Sequence, residues 1–432
     1  MKIKVNGITV NSDKEILLAD AIRKAGVYFP LVCAGRGVCG KCAVFASGKL
    51  SEKSDCEKSL PSGMRLACKC FAIGDCSIRV PKTESKDILS FGVLPKTEEI
   101  KGFYAAFDIG TSTIAAVLSK DGVPIEYKTC ENPQRAYGAD VVSRFSADKK
   151  VLKEITQSAV LELLNSFSEK PEKIAVSGNT AMLYLLFGIS AEPLCKSPFE
   201  ITEKFGREMR LGKYDVYVLP CVSAFIGADA VSNVLVASLV TENDSFLSVD
   251  VGTNCEVMYH CNNKILCASS AAGSAFEEHG VASELISSLC ELLSSGALKK
   301  SGAFDEASEL VFDGKAEIGN SGNFLSESDI RKLQTDKAAV RTAIDLICEK
   351  PELLCLSGAI SAYTDTDKLC KIGIIPKCNT VLLGNSALSG ALLTAESDKY
   401  RMLCEEKAKM CKVINLTENE DFEKVFINNI QF

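Results

Sequence analysis

The chain has 432 residues, 47% of them hydrophobic and 24% charged, and a formal net charge of −7. That composition belongs to a folded protein of about two to three domains and excludes disordered, collagenous and strongly basic chains. No run approaches the ~18 apolar residues of a spanning helix, and the opening Met1-Lys2-Ile3-Lys4-Val5 is strand-like, so a cytoplasmic location with no membrane partner is expected.

Twenty cysteines without an export signal read as reduced thiols and metal ligands rather than a disulfide framework, and suit an anaerobe. The charge is uneven. Residues 1–82 hold 14 Lys and Arg against 7 Asp and Glu, leaving 35 against 49 for the remainder, so the formal charges are +7 and −14. A basic segment joined to an acidic body finds its nearest partner in its own chain, and nucleic acid is not expected.

Residues 3–10 alternate about Asn6-Gly7, which predicts a β-hairpin. Ser12 or Asp13 is then expected to cap a helix with Ile16, Leu17, Ala21 and Ile22 on one face, ended by Gly26. Next comes a loop with Cys33, Cys39 and Cys42, followed by Cys68 in Arg65-Leu66-Ala67-Cys68, a spacing of C-x5-C-x2-C-x25-C. Four thiolates on a path bent by Gly35, Gly37 and Gly40 predict a [2Fe–2S] cluster in an α+β β-grasp ferredoxin domain. A structural zinc site is the alternative for such a set. Cys70, two residues beyond Cys68, could reach the cluster in its place; the Arg-Leu-Ala-Cys motif, as ferredoxin domains of this kind present it, favours Cys68. Cys56, Cys70 and Cys76 are then thiols of apolar character.

Residues 83–100, rich in Lys, Glu, Ser and Thr, read as a flexible linker between a ferredoxin domain at 1–82 and a larger domain at 101–432. About 18 such residues could extend to roughly 60 Å. Beyond residue 103, strands and helices alternate, the mark of an α/β fold. Strands are expected over 104–107, 173–176, 214–219, 246–249 and 353–356. Helices are expected over 159–167, 230–240, 282–294, 327–350 and 386–394.

One stretch occurs twice in this larger domain. Phe107-Asp108-Ile109-Gly110-Thr111-Ser112-Thr113 returns 142 residues later as Val249-Asp250-Val251-Gly252-Thr253-Asn254. Each copy ends an apolar strand in an acid and a glycine turn. The turn lets the backbone approach an anion, Gly110, Thr111, Ser112, Thr113, Gly252, Thr253 and Asn254 supply donors to phosphate, and Asp108 and Asp250 suit Mg²⁺. Paired loops of this kind resemble the phosphate loops of acetate and sugar kinases, heat-shock ATPases and actin. A two-lobed α/β ATPase domain is therefore expected, with lobes of about 101–240 and 241–432 and ATP between them. Ser357-Gly358 ends a further strand in a small-residue turn, as an adenosine contact would.

Further segments carry a closer likeness. They are Asn132-Pro133-Gln134, Tyr137 to Arg144, Ser177 to Met182, Ile226 to Asp229, Ala272 to Glu277, Lys337-Ala338-Ala339 and Gly384 to Leu388. With the cysteine loop and the paired phosphate loops, they resemble the ATP-dependent reductive activators of corrinoid proteins. The resemblance implies a [2Fe–2S] ferredoxin fused to a kinase-like ATPase that passes one electron to a low-potential acceptor. The implied partner is a corrinoid protein or other low-potential metalloprotein, with Co(II) returned to Co(I). It also implies Asp229 as the residue orienting the attacking water, nucleotide contacts at Gly273, Glu277 and Gly384, and a homodimer through the ATPase domain. The chain is short for that family and is expected to lack its middle domain. Other readings of the same residues are a redox-gated phosphotransferase of acetate or sugar kinase type and a nucleotide-switched redox sensor. Cys255, Cys261 and Cys267 fall six residues apart, but thiols of core or surface are expected there rather than a second cluster, and His260 and His279 are expected to be structural.

Overall fold

Asn6 and Gly7 both take positive φ, 47° and 90°, as a two-residue hairpin turn demands, and join β1 (Lys2–Val5) to β2 (Ile8–Asn11). The computed structural model describes residues 1–25, 37, 42–58, 60–80, 92–95, 100–138, 141–144, 147–241, 243–252, 254–273, 275–278, 282–319, 323–358 and 365–432. The helix after the hairpin starts at Leu18, not near Ser12 or Asp13. Ile16–Leu17 instead form a short strand, β3, paired with β6 (Phe71–Arg79). With β4 (Ala43–Leu50) and β5 (Met64–Leu66), the sheet runs β2-β1-β6-β4-β5, and β1 and β6 are parallel. Ile3, Val5, Val44 and Ile78 from the sheet bury against Leu18, Ala21 and Ile22 of the helix Leu18–Lys24, giving the β-grasp layer its core.

A buried ion pair fixes the strand that leads to Cys68. Glu57 and Arg65 are both buried. The Arg65 Nε donates to Glu57 Oε1 at 2.9 Å, and the Leu66 N–H donates to the same oxygen at 2.9 Å. Burial raises the Glu57 pKa, but Arg65, Ser54 and the Leu66 amide more than offset it and hold the carboxyl at about 2.

The larger domain holds two sheets of matching design. The first contains β7 (Phe103–Ile109), β8 (Thr113–Lys120), β9 (Val123–Glu131), β10 (Lys173–Gly178), β11 (Arg207–Leu211) and β12 (Tyr214–Val218), in the order β11-β12-β10-β7-β8-β9. The second contains β13 (Ser245–Val251), β14 (Cys255–Cys261) and β15 (Lys264–Ser270). A small sheet of β16 (Val311–Phe312), β17 (Lys315–Glu317) and β18 (Phe324–Ser326) intervenes. Then β19 (Leu353–Ser357), β20 (Asn379–Gly384) and β21 (Cys411–Val413) complete the order β20-β19-β13-β14-β15-β21. In both sheets an antiparallel meander is followed by two strands added parallel to its first strand, β10 then β12, and β19 then β20. The sequence repeat is thus a repeat of topology.

Helices Ala228–Thr241 and Ser386–Glu396 pack against each other where the lobes meet. The second of these follows β20 of the second sheet, yet its Leu388, Ala391, Leu392 and Ala395 join the core of the first. The chain therefore crosses back between lobes. Residues 149–165 form a longer helix than the 159–167 expected, because Asp148 caps it and accepts from Lys150 N. The last part of the linker is also fastened here. Val93 N donates to Leu383 O at 2.9 Å, a Cβ on Gly92 would lie 2.7 Å from Asn385 O, and Leu94 packs against the first lobe and the lobe junction.

Replacing Glu57 with Gln should lower ferredoxin-domain stability by about 3 kcal/mol, since it leaves Arg65 buried and unpaired. The Glu57 pKa is depressed, so its contribution is whole above the ordinary carboxylate value of ~4.5 and fades as pH falls toward about 2. Thermal melts followed at the visible cluster band, at neutral and acid pH, measure both effects.

Candidate functional site

The site lies at the carboxyl ends of β7 and β13, where each strand delivers an aspartate and then turns. In the first turn Gly110 N donates to Thr113 O, and in the second Gly252 N donates to Asn254 O, both at 2.9 Å. Fixed partners occupy the carbonyls of the first turn. Asn132 Nδ2 donates to Gly110 O at 2.8 Å, and the buried Arg144 donates through an Nη to Thr111 O at 2.7 Å. Asn179 Nδ2 reaches the Thr111 hydroxyl at 3.0 Å and its Oδ1 caps the helix Thr180–Phe187 at Met182 N. A loop held by its carbonyls keeps one shape, which is what a cradle of N–H donors requires.

The two aspartates are braced from opposite lobes. Asn385, at the end of β20 in the second sheet, donates to Asp108 Oδ2 at 3.1 Å. Asn233, in the helix after the first sheet, donates to Asp250 Oδ2 at 2.6 Å, and Ser386 Oγ donates to Asn233 Oδ1 at 2.5 Å. Asp229 opens the helix Ala228–Thr241 beside them and accepts from Ala230 N at 2.8 Å.

Electrostatics follow from this crowding. Desolvation in the cleft, with the charge of Asp250 added, pushes Asp108 up to about 6 although Asn385 works the other way. Desolvation and then the charges of Asp108 and Asp250 bring Asp229 to about 7. Desolvation raises Asp250 too, against its bonds from Asn233 and Ser357. Carboxyls with raised pKa values, drawn from both lobes, suit a divalent cation and proton transfer to or from water.

Gly358 is held to glycine by this geometry. Its φ is +89°, and a Cβ would lie 2.4 Å from Asp250 Oδ1. Ser177 stands opposite Asp108 in the β10–β7 register as Ser357 stands opposite Asp250, and the Ser177 hydroxyl is buried without a partner. An orphaned hydroxyl beside a phosphate loop fits a nucleotide site. Gly384 ends β20 at φ +66°, next to Asn385. Gly273 lies farther into the second lobe, where the Asp336 carboxylate fills the space of its Cβ and accepts from Ala275 N at 2.9 Å. Thr253 and the Glu277 side chain lie outside the described residues.

In the ferredoxin layer, Cys42 Sγ and Cys68 Sγ lie 3.2 Å apart, and Ala67 N donates to Cys42 O at 2.9 Å. Cys70 Sγ is turned to the Ser51 hydroxyl at 3.9 Å. Cys33 and Cys39 lie outside the described residues. Gly37, at φ +82°, would set a Cβ 2.4 Å from the Lys69 side chain. Two thiols already at ligand spacing fit a [2Fe–2S] cluster. Cys255, Cys261 and Cys267 lie along β14 and β15, and no group of three metal-ready side chains occurs among the described residues. His260 bonds Asp244 O through Nδ1 at 3.1 Å and stacks on Phe246, as a packing residue does. No helix among the described residues is long and apolar enough to cross a membrane.

Family models tile the chain. The 2Fe-2S iron-sulfur cluster binding domain matches residues 2–72, the RACo middle region 103–242, and the C-terminal ASKHA domain of RACo 244–284 and 279–432. The corrinoid activation enzyme RamQ of Eubacterium limosum is 22% identical over 582 residues, covering 98% of this chain and 97% of that protein. The [Co(II) methylated amine-specific corrinoid protein] reductase of Methanosarcina barkeri is 25% identical, over 51% of this chain and 50% of its own length. A solved reductive activator for a corrinoid, iron-sulfur protein shares the fold at TM-score 0.68 and 20% identity, covering 100% of this chain and 98% of that one.

Fold and site together define a ferredoxin joined to an ATPase of the actin and sugar-kinase type, with a [2Fe–2S] cluster, ATP and Mg²⁺ as its cofactors. The chain belongs to the RACo family, the ATP-dependent reductive activators of corrinoid proteins. The model described as the RACo middle region lies on residues 103–242, which carry the first sheet of the larger domain.

Asn385, Asn233, Asn179 and Arg144 were not among the site residues expected. A signal was present for two of them: Gly178-Asn179-Thr180 and Gly384-Asn385-Ser386 both place Gly-Asn-hydroxyl between a strand and a helix. Asn385→Ser keeps a helix cap but shortens the reach to Asp108. Mg²⁺-dependent ATP hydrolysis should fall about 10–100-fold, the usual effect of losing a residue that orients a metal ligand, with the visible cluster spectrum unchanged. Hydrolysis at the unaltered rate would show that the brace does not support Asp108.

Proposed function

We propose that the protein couples ATP hydrolysis between its two lobes to delivery of one electron to a low-potential acceptor, a Co(II) corrinoid protein returned to Co(I). The observation that carries this is the union in one chain of the Cys42–Cys68 thiol pair with two phosphate-type turns whose aspartates are braced across the lobes. The relatives' own names, a corrinoid activation enzyme and a Co(II) corrinoid protein reductase, support the acceptor class.

The cluster, held by Cys33, Cys39, Cys42 and Cys68, supplies the one-electron chemistry. Asp108 and Asp250 position Mg²⁺, Thr111, Ser112, Thr113, Thr253 and Asn254 hold phosphate oxygens on turns that Gly110 and Gly252 shape, and Asp229 orients the attacking water. Gly273, Glu277, Ser357, Gly358 and Gly384 line the nucleotide. We take residues 1–82 as the ferredoxin domain, 83–100 as the linker and 101–432 as the ATPase domain, active in the cytoplasm as a homodimer through that domain.

An uphill gap of about 0.1–0.2 V for one electron is roughly 2–5 kcal/mol. Closing a two-lobed element from 1:99 to 99:1 takes about 5.5 kcal/mol of differential nucleotide binding, so lobe closure is of the right size. The linker brings that motion to the ferredoxin domain. Gly92 and Val93 rest on Leu383 and Asn385, and Asn385 bonds Asp108. Counted from this anchor, residues 83–91 can span at most about 30 Å, half the reach of the whole linker.

The dependence of ATP turnover tests the proposal. With the cluster loaded and reduced, a Co(II) corrinoid protein should accelerate hydrolysis, and Cys42→Ser should abolish cobalt reduction while ATP affinity stays unchanged. Turnover that instead requires a hydroxyl or carboxyl acceptor would identify a phosphotransferase. Nucleotide binding with no turnover under any acceptor would identify a sensor.

A further inference from the structure

The two lobes share a topology but differ in charge beside their phosphate aspartates. In the first sheet the β7–β8 register sets Asp108 opposite Ala115; in the second, the β13–β14 register sets Asp250 opposite Glu256. Directly opposed residues of an antiparallel pair share a sheet face with Cβ atoms about 4.5–5.5 Å apart. The second lobe thus presents a carboxylate on the face of its phosphate aspartate where the first presents a methyl group.

Glu256 also differs from its neighbours in what holds it. Asp108 receives Asn385, Asp250 receives Asn233, and Asp229 receives the Ala230 amide. Among the described residues the Glu256 carboxylate is held only by its own backbone N–H, with no side-chain donor and no ion pair. It is only part-exposed, at the cleft, and protein surrounds it. Like charges directly opposed on a sheet repel, and no described lysine or arginine pairs with any of these four acids. A carboxylate with no cationic or side-chain partner, facing another across one pair of strands, is the arrangement that a divalent cation and its water shell relieve.

We propose that Glu256 is a positioning residue for the nucleotide's divalent cation. It acts through the cation's bound water opposite Asp250, and gives the second lobe one more carboxylate at the metal than the first. The proposal rests on the reading of the cleft as a Mg²⁺–nucleotide site and adds to it a residue and an asymmetry. Asp250 and Glu256 form a carboxylate pair on the second lobe, while Asp108, without a carboxylate opposite, faces the cation from the first lobe under its Asn385 brace.

The test uses the full chain with its cluster loaded and reads equilibrium binding of a fluorescent ATP analogue, with and without Mg²⁺. In the unaltered protein Mg²⁺ must tighten binding. If it does not, the reading of the cleft fails, independently of Glu256. Glu256→Gln keeps the shape and removes the charge. The Mg²⁺ concentration giving half-maximal tightening should rise about tenfold or more, while metal-free affinity holds or improves because a repelling charge is gone. Glu256→Asp, charged but shorter by one methylene, should fall between the two, and it serves as well if the Gln protein does not fold. An unchanged Mg²⁺ requirement overturns the proposal. So does an equal loss of metal-free and metal-bound affinity, which is what simple damage to the sheet produces.

Discussion

The cross-bracing of Asp108 by Asn385 and of Asp250 by Asn233 is the constraint on which the rest of the molecule depends. Each amide comes from an element that belongs, in chain order, to the opposite lobe. The Ser386 hydroxyl ties the two braces together through Asn233, and the Ser232 hydroxyl donates to the Ala387 carbonyl at 2.9 Å beneath them. Hydrogen bonds to charged groups contribute about 1.5–3 kcal/mol each. Two such bonds match in size the work of moving one electron uphill by 0.1–0.2 V, about 2–5 kcal/mol. Anything that alters the charge on either aspartate therefore acts on the contact between the lobes.

The linker makes that contact matter to the ferredoxin domain. Its described residues, Gly92 to Pro95, begin on the backbone at Leu383 and Asn385, where the brace starts, and Gly92 has no room for a side chain. A tether joined to the chain at residue 100 alone would decouple the two modules, whereas one seated beside Asn385 shares its displacement. At the other end, the buried Glu57–Arg65 pair holds the strand before Cys68 through the Leu66 amide. Ion pairs and amides thus fix both ends of the path from nucleotide to cluster, and the apolar cores keep the layers in place.

Much of this was legible in the sequence because glycine turns and apolar strands are local signals. The Asn6-Gly7 hairpin, the cysteine loop and the two Asp-x-Gly turns each announce themselves within ten residues. The strand and helix ends near 173, 228, 282, 327, 353 and 386 fall close to their expected places. The helix from Leu18 was misplaced because Ile16 and Leu17 suit a strand on β6 as well as a helix face, and sheet pairing decides between them. The start of the helix at Lys149 was missed because Lys149, Lys150, Lys153 and Glu154 interrupt the apolar face that Leu152 and Ile155 begin, although the Asp148 cap marks it. Asn233 and Glu256 were hidden for another reason. Their roles come from pairings across a helix packing and a strand register, and neither leaves a pattern in the residues beside it.

The central claim, that hydrolysis at a cross-braced cleft drives the electron uphill, is tested most directly by single-turnover reduction of a Co(II) corrinoid protein from the pre-reduced cluster, followed by stopped-flow absorbance. The account predicts that Co(I) appears with ATP and not with a non-hydrolysable analogue or with no nucleotide. Co(I) formed at the same rate and to the same extent without ATP would contradict it.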